Sequence, residues 1–147
     1  MTAMQQRLLL IAIWLLIGNG LVESPEARAE PMYEVHPIGW VRKTDDGTFI
    51  EVNKQYQPAL LGVDELAEIW VLYWFDRNDT PEQRAILQVH PKGDPANPLR
   101  GVFATRAPVR PNLIALSRCR VISVKDNLIE IDTIDAFPDT PVLDIKP

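Results

Sequence analysis

The sequence predicts an all-β fold, a small antiparallel barrel carrying one or two short helices. Three observations predict it. The 147 residues include 13 prolines against 7 glycines, a balance that interrupts helices and suits strands punctuated by loops. Two β-rich runs, residues 113–124 and 128–134, flank Lys125-Asp126-Asn127, the strongest hairpin signal in the chain. Residues 69–75 read IWVLYWF, apolar or aromatic throughout. A half-buried strand alternates, so a run without alternation implies cover on both faces, by the barrel interior on one side and by a helix or a second subunit on the other.

Taken in order, the chain opens with a segment that has the anatomy of a secretory leader. Arg7 supplies a positive charge, residues 8–17 (LLLIAIWLLI) form an apolar run, and Gly18-Asn19-Gly20 loosens the chain beyond that run. Ala27-Arg28-Ala29 is a small-x-small site, which predicts a signal peptide over residues 1–29, cleaved after Ala29. The apolar run falls short of the roughly 20 residues that span a bilayer; an uncleaved anchor is the alternative. Residues 30–147 then form one barrel domain, expected in a secreted or periplasmic location. The absence of cysteine at the cleavage point excludes a lipoprotein.

Within that domain residues 33–43 read as an opening strand with an irregularity at Pro37, and Asp45-Asp46-Gly47 turns it into a second strand over 48–52. Residues 54–61 form a short helical turn ending near Gly62, and the apolar strand comes next at 69–75. Thr80 caps a short helix with Pro81 in its first turn. Residues 87–90 and 101–104 are two further strand candidates in a proline-rich stretch. In the terminal hairpin Ile129 and Ile131 face one way while Glu130 and Asp132 face the other. Residues 139–147, taken alone, read as an edge strand.

Several chemistries are excluded by composition. A formal net charge of −5 argues against a basic protein that coats nucleic acid. The lone Cys119 excludes an internal disulfide and a cysteine-rich zinc site. His36 and His90 leave too few ligands for a metal centre, so no metal is expected. No phosphate-binding glycine loop occurs outside the leader. Ser117 and Cys119 lack a neighbouring base in sequence and read as ordinary strand residues. The segment with chemistry in it is GVFATRAPVRPNLIALS, residues 101–117. It delivers Arg106 and Arg110 into a loop stiffened by Pro108 and Pro111, a rigid guanidinium platform suited to an anionic or carboxylate-bearing ligand. The other reading is an arginine that ties its loop to a carboxylate such as Asp135.

His36-Pro37-Ile38-Gly39-Trp40-Val41-Arg42, Leu61-Gly62, Ile69 to Phe75, His90-Pro91-Lys92-Gly93, Gly101 to Ser117 and Thr140 to Pro147 occur in this order. In that order and content the chain resembles the TsaA-like (TrmO, YaeB-like) family over residues 35–147, and the FATR-x-P-x-RPN core is its most specific motif. The resemblance implies a small β-barrel acting as a homodimer and an S-adenosyl-L-methionine-dependent methyltransferase. The implied substrate is N6 of threonylcarbamoyl-adenosine next to the anticodon of tRNA. It implies further that Arg106, Leu116, the Asp76-Arg77 pair and the loop Asp139-Thr140-Pro141 contact S-adenosyl-L-methionine, and that Asp135 or Asp139 orients the acceptor amine. Departures fall in the ligand-contacting segments. Pro138-Asp139-Thr140-Pro141 replaces Asp-Gly-Thr-Pro, Phe75-Asp76 replaces Phe-His, and Leu113 and Ala115 replace a proline and a glycine. The alternative is therefore an exported, non-catalytic barrel that kept the fold as a binding module.

Overall fold

The computed structural model describes residues 31–147, so the leader expected over 1–29 and its cleavage point lie outside the described residues. Residues from Val35 onward form one compact unit. Eight strands are present among the described residues: β1 (Gly39–Thr44), β2 (Gly47–Val52), β3 (Glu68–Trp74), β4 (Gln88–Val89), β5 (Arg100–Gly101), β6 (Ile114–Lys125), β7 (Leu128–Ile131) and β8 (Pro141–Lys146). Six of them close into an antiparallel barrel in the order β1-β2-β7-β6-β3-β8, and β4 and β5 form a separate ribbon. The predicted all-β barrel is the observed fold. The short helix α1 (Pro81–Arg84) starts where the sequence places it, with Thr80 Oγ1 accepting a hydrogen bond from the Gln83 N–H.

Alternation builds the core. Val41, Ile50, Val52, Ile69, Val71, Ala115, Cys119, Ile129, Ile131 and Val142 point inward from six strands and are almost wholly buried. Ile129 and Ile131 are inside while Glu130 and Asp132 lie on the other face, as the period-two pattern requires. The β6–β7 hairpin turns at Asp126 and Asn127, with Asp126 in the left-handed region at φ 55°. Along β3, Ile69, Val71 and Tyr73 are buried, and Trp70, Leu72 and Trp74 on the outer face are half-buried. Apolarity is thus continuous in the sequence although burial alternates.

Four sequence expectations need correction. The opening strand begins at Gly39 instead of residue 33. Residues 101–104 are no strand: only Arg100–Gly101 pairs with β4, and Val102–Ala104 coils into a 3-10 turn after the Val102 N–H bonds the Leu87 carbonyl. The second arm of the hairpin ends at Ile131 and does not reach 134. Finally, residues 141–146 are no edge: β8 pairs with both β1 and β3 and closes the barrel. A local pattern shows that a strand exists but carries no information on how many neighbours it finds.

Gly39 is required where it stands. It pairs with Val52 of β2 and Val142 of β8, and a Cβ there would sit 2.3 Å from the Glu51 carbonyl oxygen.

Candidate functional site

The ends of β3 and β8, the turn after β3, and the segment holding Arg106 converge beside one another. Phe75 leaves β3 with its N–H bonded to the Leu113 carbonyl (2.8 Å), and Asp76–Asn78 form a 3-10 turn. α1 ties the Pro111 loop to the end of β3: Arg84 donates to the Pro111 carbonyl (2.8 Å) and pairs with Asp79 (2.9 Å), which also accepts from Trp74 Nε1 (3.0 Å). Those two donors hold the Asp79 carboxyl below its ordinary value. The proline-flanked loop braces itself, with Arg110 donating to the Ala107 carbonyl (3.4 Å) and Thr105 to the Val102 carbonyl (3.0 Å). The connection from β7 to β8 is tied down twice, by Lys43 Nζ on the Ile134 carbonyl (3.0 Å) and by the Tyr73 hydroxyl on the Asp135 carbonyl (2.5 Å).

Between these walls lies a cavity of about 350 Å³, within the range of small-molecule sites. Lys43, Asp76, Arg77, Arg106, Asp135 and Thr140 line it with the aromatic rings of Tyr73, Trp74, Phe75 and Phe137. Arg77 stacks its guanidinium over Phe137, 4.0 Å from the ring centroid. A second cavity of about 270 Å³ adjoins it, lined by Arg110, Leu116 and Ser117, and a third of about 550 Å³ runs along Trp70, Ser117 and Arg118. Arg106 and Asp135 line all three.

Arg106 resolves the two readings of its loop. Among the described residues the ion pairs are made by other arginines and Lys146; Arg106 has one hydrogen bond, 3.5 Å to the Leu116 carbonyl. It does not tie its loop to Asp135 by an ion pair, and its guanidinium stays available at the cavity.

The remaining expected site residues divide. Asp76, Arg77, Arg106, Asp135 and Thr140 share the first cavity, and Leu116 lies on the second. Asp139 lies apart from them, its carboxylate paired with Arg42, which also pairs with Glu51 at 2.5 Å. Asp139 is in the left-handed region at φ 65°. Glycine, which that position carries in the Asp-Gly-Thr-Pro pattern, adopts this conformation without steric cost. The aspartate keeps the conformation and adds an ion pair. Pro141 sits in β8 opposite Trp40. Sequence reasoning missed Lys43, Tyr73 and Phe137, because a strand residue and an exposed loop aromatic carry no local signal of what they line.

The fold and site define a small closed barrel whose rim carries a cavity with the Arg106 guanidinium, carboxylates and aromatic walls. The chain belongs to the tRNA-methyltransferase O N-terminal domain family, whose model matches residues 36–147. A probable S-adenosyl-L-methionine-binding protein of Methanocaldococcus jannaschii is 45% identical over 115 residues, covering 78% of this chain and 91% of the relative. One from Pyrococcus horikoshii is 45% identical over 114 residues, covering 78% and 81%. A mouse tRNA (adenine(37)-N6)-methyltransferase is 36% identical over 89 residues, covering 60% of this chain and 20% of the relative. A crystal structure of TrmO superposes with a TM-score of 0.61 at 29% identity, covering 80% of this chain and 57% of that one. The chain thus spans just over half the length of that TrmO structure. The family resemblance read from the motifs is borne out.

Proposed function

We propose that the protein is an S-adenosyl-L-methionine-dependent methyltransferase acting on N6 of threonylcarbamoyl-adenosine in tRNA. The observation that carries the reading is Arg106, a guanidinium without a carboxylate partner on a wall it shares with Asp135. The residues present fit the methyl donor. Arg106 suits its carboxylate by a forked, charge-assisted pair, the carboxylates of Asp76 and Asp135 suit its positive charge, and Trp74, Phe75 and Phe137 offer apolar faces to its adenine. When bound, S-adenosyl-L-methionine supplies an electrophilic methyl group. The chain's own part is orientation and proton handling. Lys43 and Tyr73 fix the carbonyls on both sides of Asp135, so its carboxylate is placed to accept a hydrogen bond from the acceptor N6–H and to take that proton as the methyl group leaves sulfur for nitrogen, and positioning of this kind supplies most of such a rate enhancement. Asp139 serves through its backbone, which turns Thr140 toward the cavity ahead of Pro141, while its side chain is spent on Arg42.

The outer face of β3 supports a homodimer. Leu72 stands opposite Leu116 and Trp74 opposite Ile114 across the β3–β6 pair, and Ile114 and Leu116 are exposed. A contiguous apolar strip of this kind marks an interface; light scattering at micromolar concentration checks it, and a monomer refutes it. The leader pattern supports export of residues 30–147, which N-terminal sequencing of protein from its host would test; an intact Met1 in the cytoplasm sinks it.

The deciding experiment is titration of the protein with S-adenosyl-L-methionine, then transfer of a labelled methyl group to tRNA. Binding with transfer is the expected result. Binding without transfer favours the exported binding module that the leader suggests, and no binding at millimolar donor overturns both readings.

A further inference from the structure

The wall shared by the cavities carries a hydroxyl pair whose protons have only one arrangement. Tyr73 points into the barrel and is 3% exposed, beside aliphatic residues such as Val71 and Val142. A phenylalanine would fill the same space, so the phenol oxygen needs its own explanation. It lies 2.5 Å from the Asp135 carbonyl oxygen and 3.2 Å from Ser117 Oγ. A carbonyl only accepts, so the single phenolic proton goes to Asp135, and Ser117 must donate its own proton to the phenol. Burial pushes the Tyr73 hydroxyl above its ordinary value, so this proton stays in place at neutral pH.

With its proton engaged inside the wall, Ser117 presents only lone pairs to the two cavities it lines together with Arg106 and Asp135. An obligate hydrogen-bond acceptor thus stands on the same wall as an unpaired guanidinium, which only donates. We propose that these two groups read the α-amino-acid end of the bound molecule, its ammonium on Ser117 Oγ and its carboxylate on Arg106, with Tyr73 setting the polarity. Asp135, on the same cavities, adds negative charge to the field along this wall. This inference rests on the reading of the site as one for S-adenosyl-L-methionine and states which part of the donor this wall takes.

Two probes separate the ends of the ligand: S-adenosylhomocysteine, which carries the amino-acid group, and 5′-methylthioadenosine, which lacks it. In calorimetric titrations Ser117→Ala should weaken S-adenosylhomocysteine about 10-fold, as expected for a lost hydrogen bond to a charged group, and leave methylthioadenosine nearly unchanged. Tyr73→Phe frees the serine proton to turn into the cavity, so it should show the same selective loss. The double variant should lose less than the sum of the two single losses, because both changes act through the Ser117 hydroxyl. Equal losses for the two ligands, or none for either, would overturn the proposal while leaving the donor site standing. Failure of the unaltered protein to bind either ligand would overturn both.

Discussion

Replacing Arg106 by alanine should separate binding from folding. In the protein alone the side chain is exposed and makes a single hydrogen bond among the described residues, 3.5 Å to the Leu116 carbonyl. Its loss should therefore cost the fold no more than about 0.5 kcal/mol, the usual bound for a surface substitution, or a shift in Tm of roughly 2–3 °C. Ligand binding should suffer far more. A charge-assisted hydrogen bond contributes about 1.5–3 kcal/mol, which corresponds to a rise in Kd of about 10- to 150-fold. Arg106→Lys keeps the charge but lacks the planar fork, so it should recover only part of the affinity. Isothermal titration with S-adenosyl-L-methionine and thermal melts on the same three proteins supply both numbers. The reasoning is refuted by the opposite pattern, a melting point lower by several degrees with Kd changed less than twofold.

Gly39→Ala should be severe: its Cβ would meet the Glu51 carbonyl oxygen at 2.3 Å and the Val52 Cα at 2.9 Å. Backbone atoms cannot swing aside, so we expect a loss of about 3 kcal/mol in urea unfolding, the upper end for overpacking; unchanged stability would show that β1 is not pressed against β2 there. Asp139→Ala should cost about 1 kcal/mol, since it removes the exposed Arg42 pair and puts at φ 65° a residue that tolerates the left-handed region less well than aspartate. Asp139→Gly should stay within about 1 kcal/mol of the original, because it gives up the exposed pair and relieves the backbone; a glycine variant less stable than the alanine variant would contradict this account. Burial pushes the Cys119 thiol up to about 11, so it should resist alkylation at pH 8 until the barrel opens, and rapid native labelling would refute its placement. Above pH 9 the unfolded chain has released this proton while the native chain holds it, so stability should fall as the pH rises toward 11.

The parts legible in the sequence are those that short-range physics determines. Thr80 and Pro81 announce α1 because a cap and a fixed φ are local properties. The β6–β7 hairpin shows in the alternation of Ile129, Glu130 and Ile131 around an adjacent turn. Illegible were the features decided by distant partners. Val102 looks like a strand residue but becomes part of a turn because Leu87 takes its N–H, and β8 gains two neighbours from segments far away in the chain. The candidate site divides in the same way. Arg106 stood out through its proline-flanked motif, whereas Tyr73, embedded in IWVLYWF, looks like one more core residue until the fold brings Ser117 and Asp135 to its hydroxyl. Asp139 was legible as a loop residue but not as the partner of Arg42, 97 positions earlier.

The place of β8 between β1 and β3 has a consequence for how the protein is made. A ribosome delivers β1 and β3 before β8, so until β8 emerges β1 and β3 each keep one row of amide and carbonyl groups unpaired. Closures between such distant segments are slow, and open strand edges invite pairing with other chains. The nascent barrel therefore stays open until a strand of six residues has emerged. The moment of its emergence, more than the strength of any hairpin formed earlier, sets when the barrel can close.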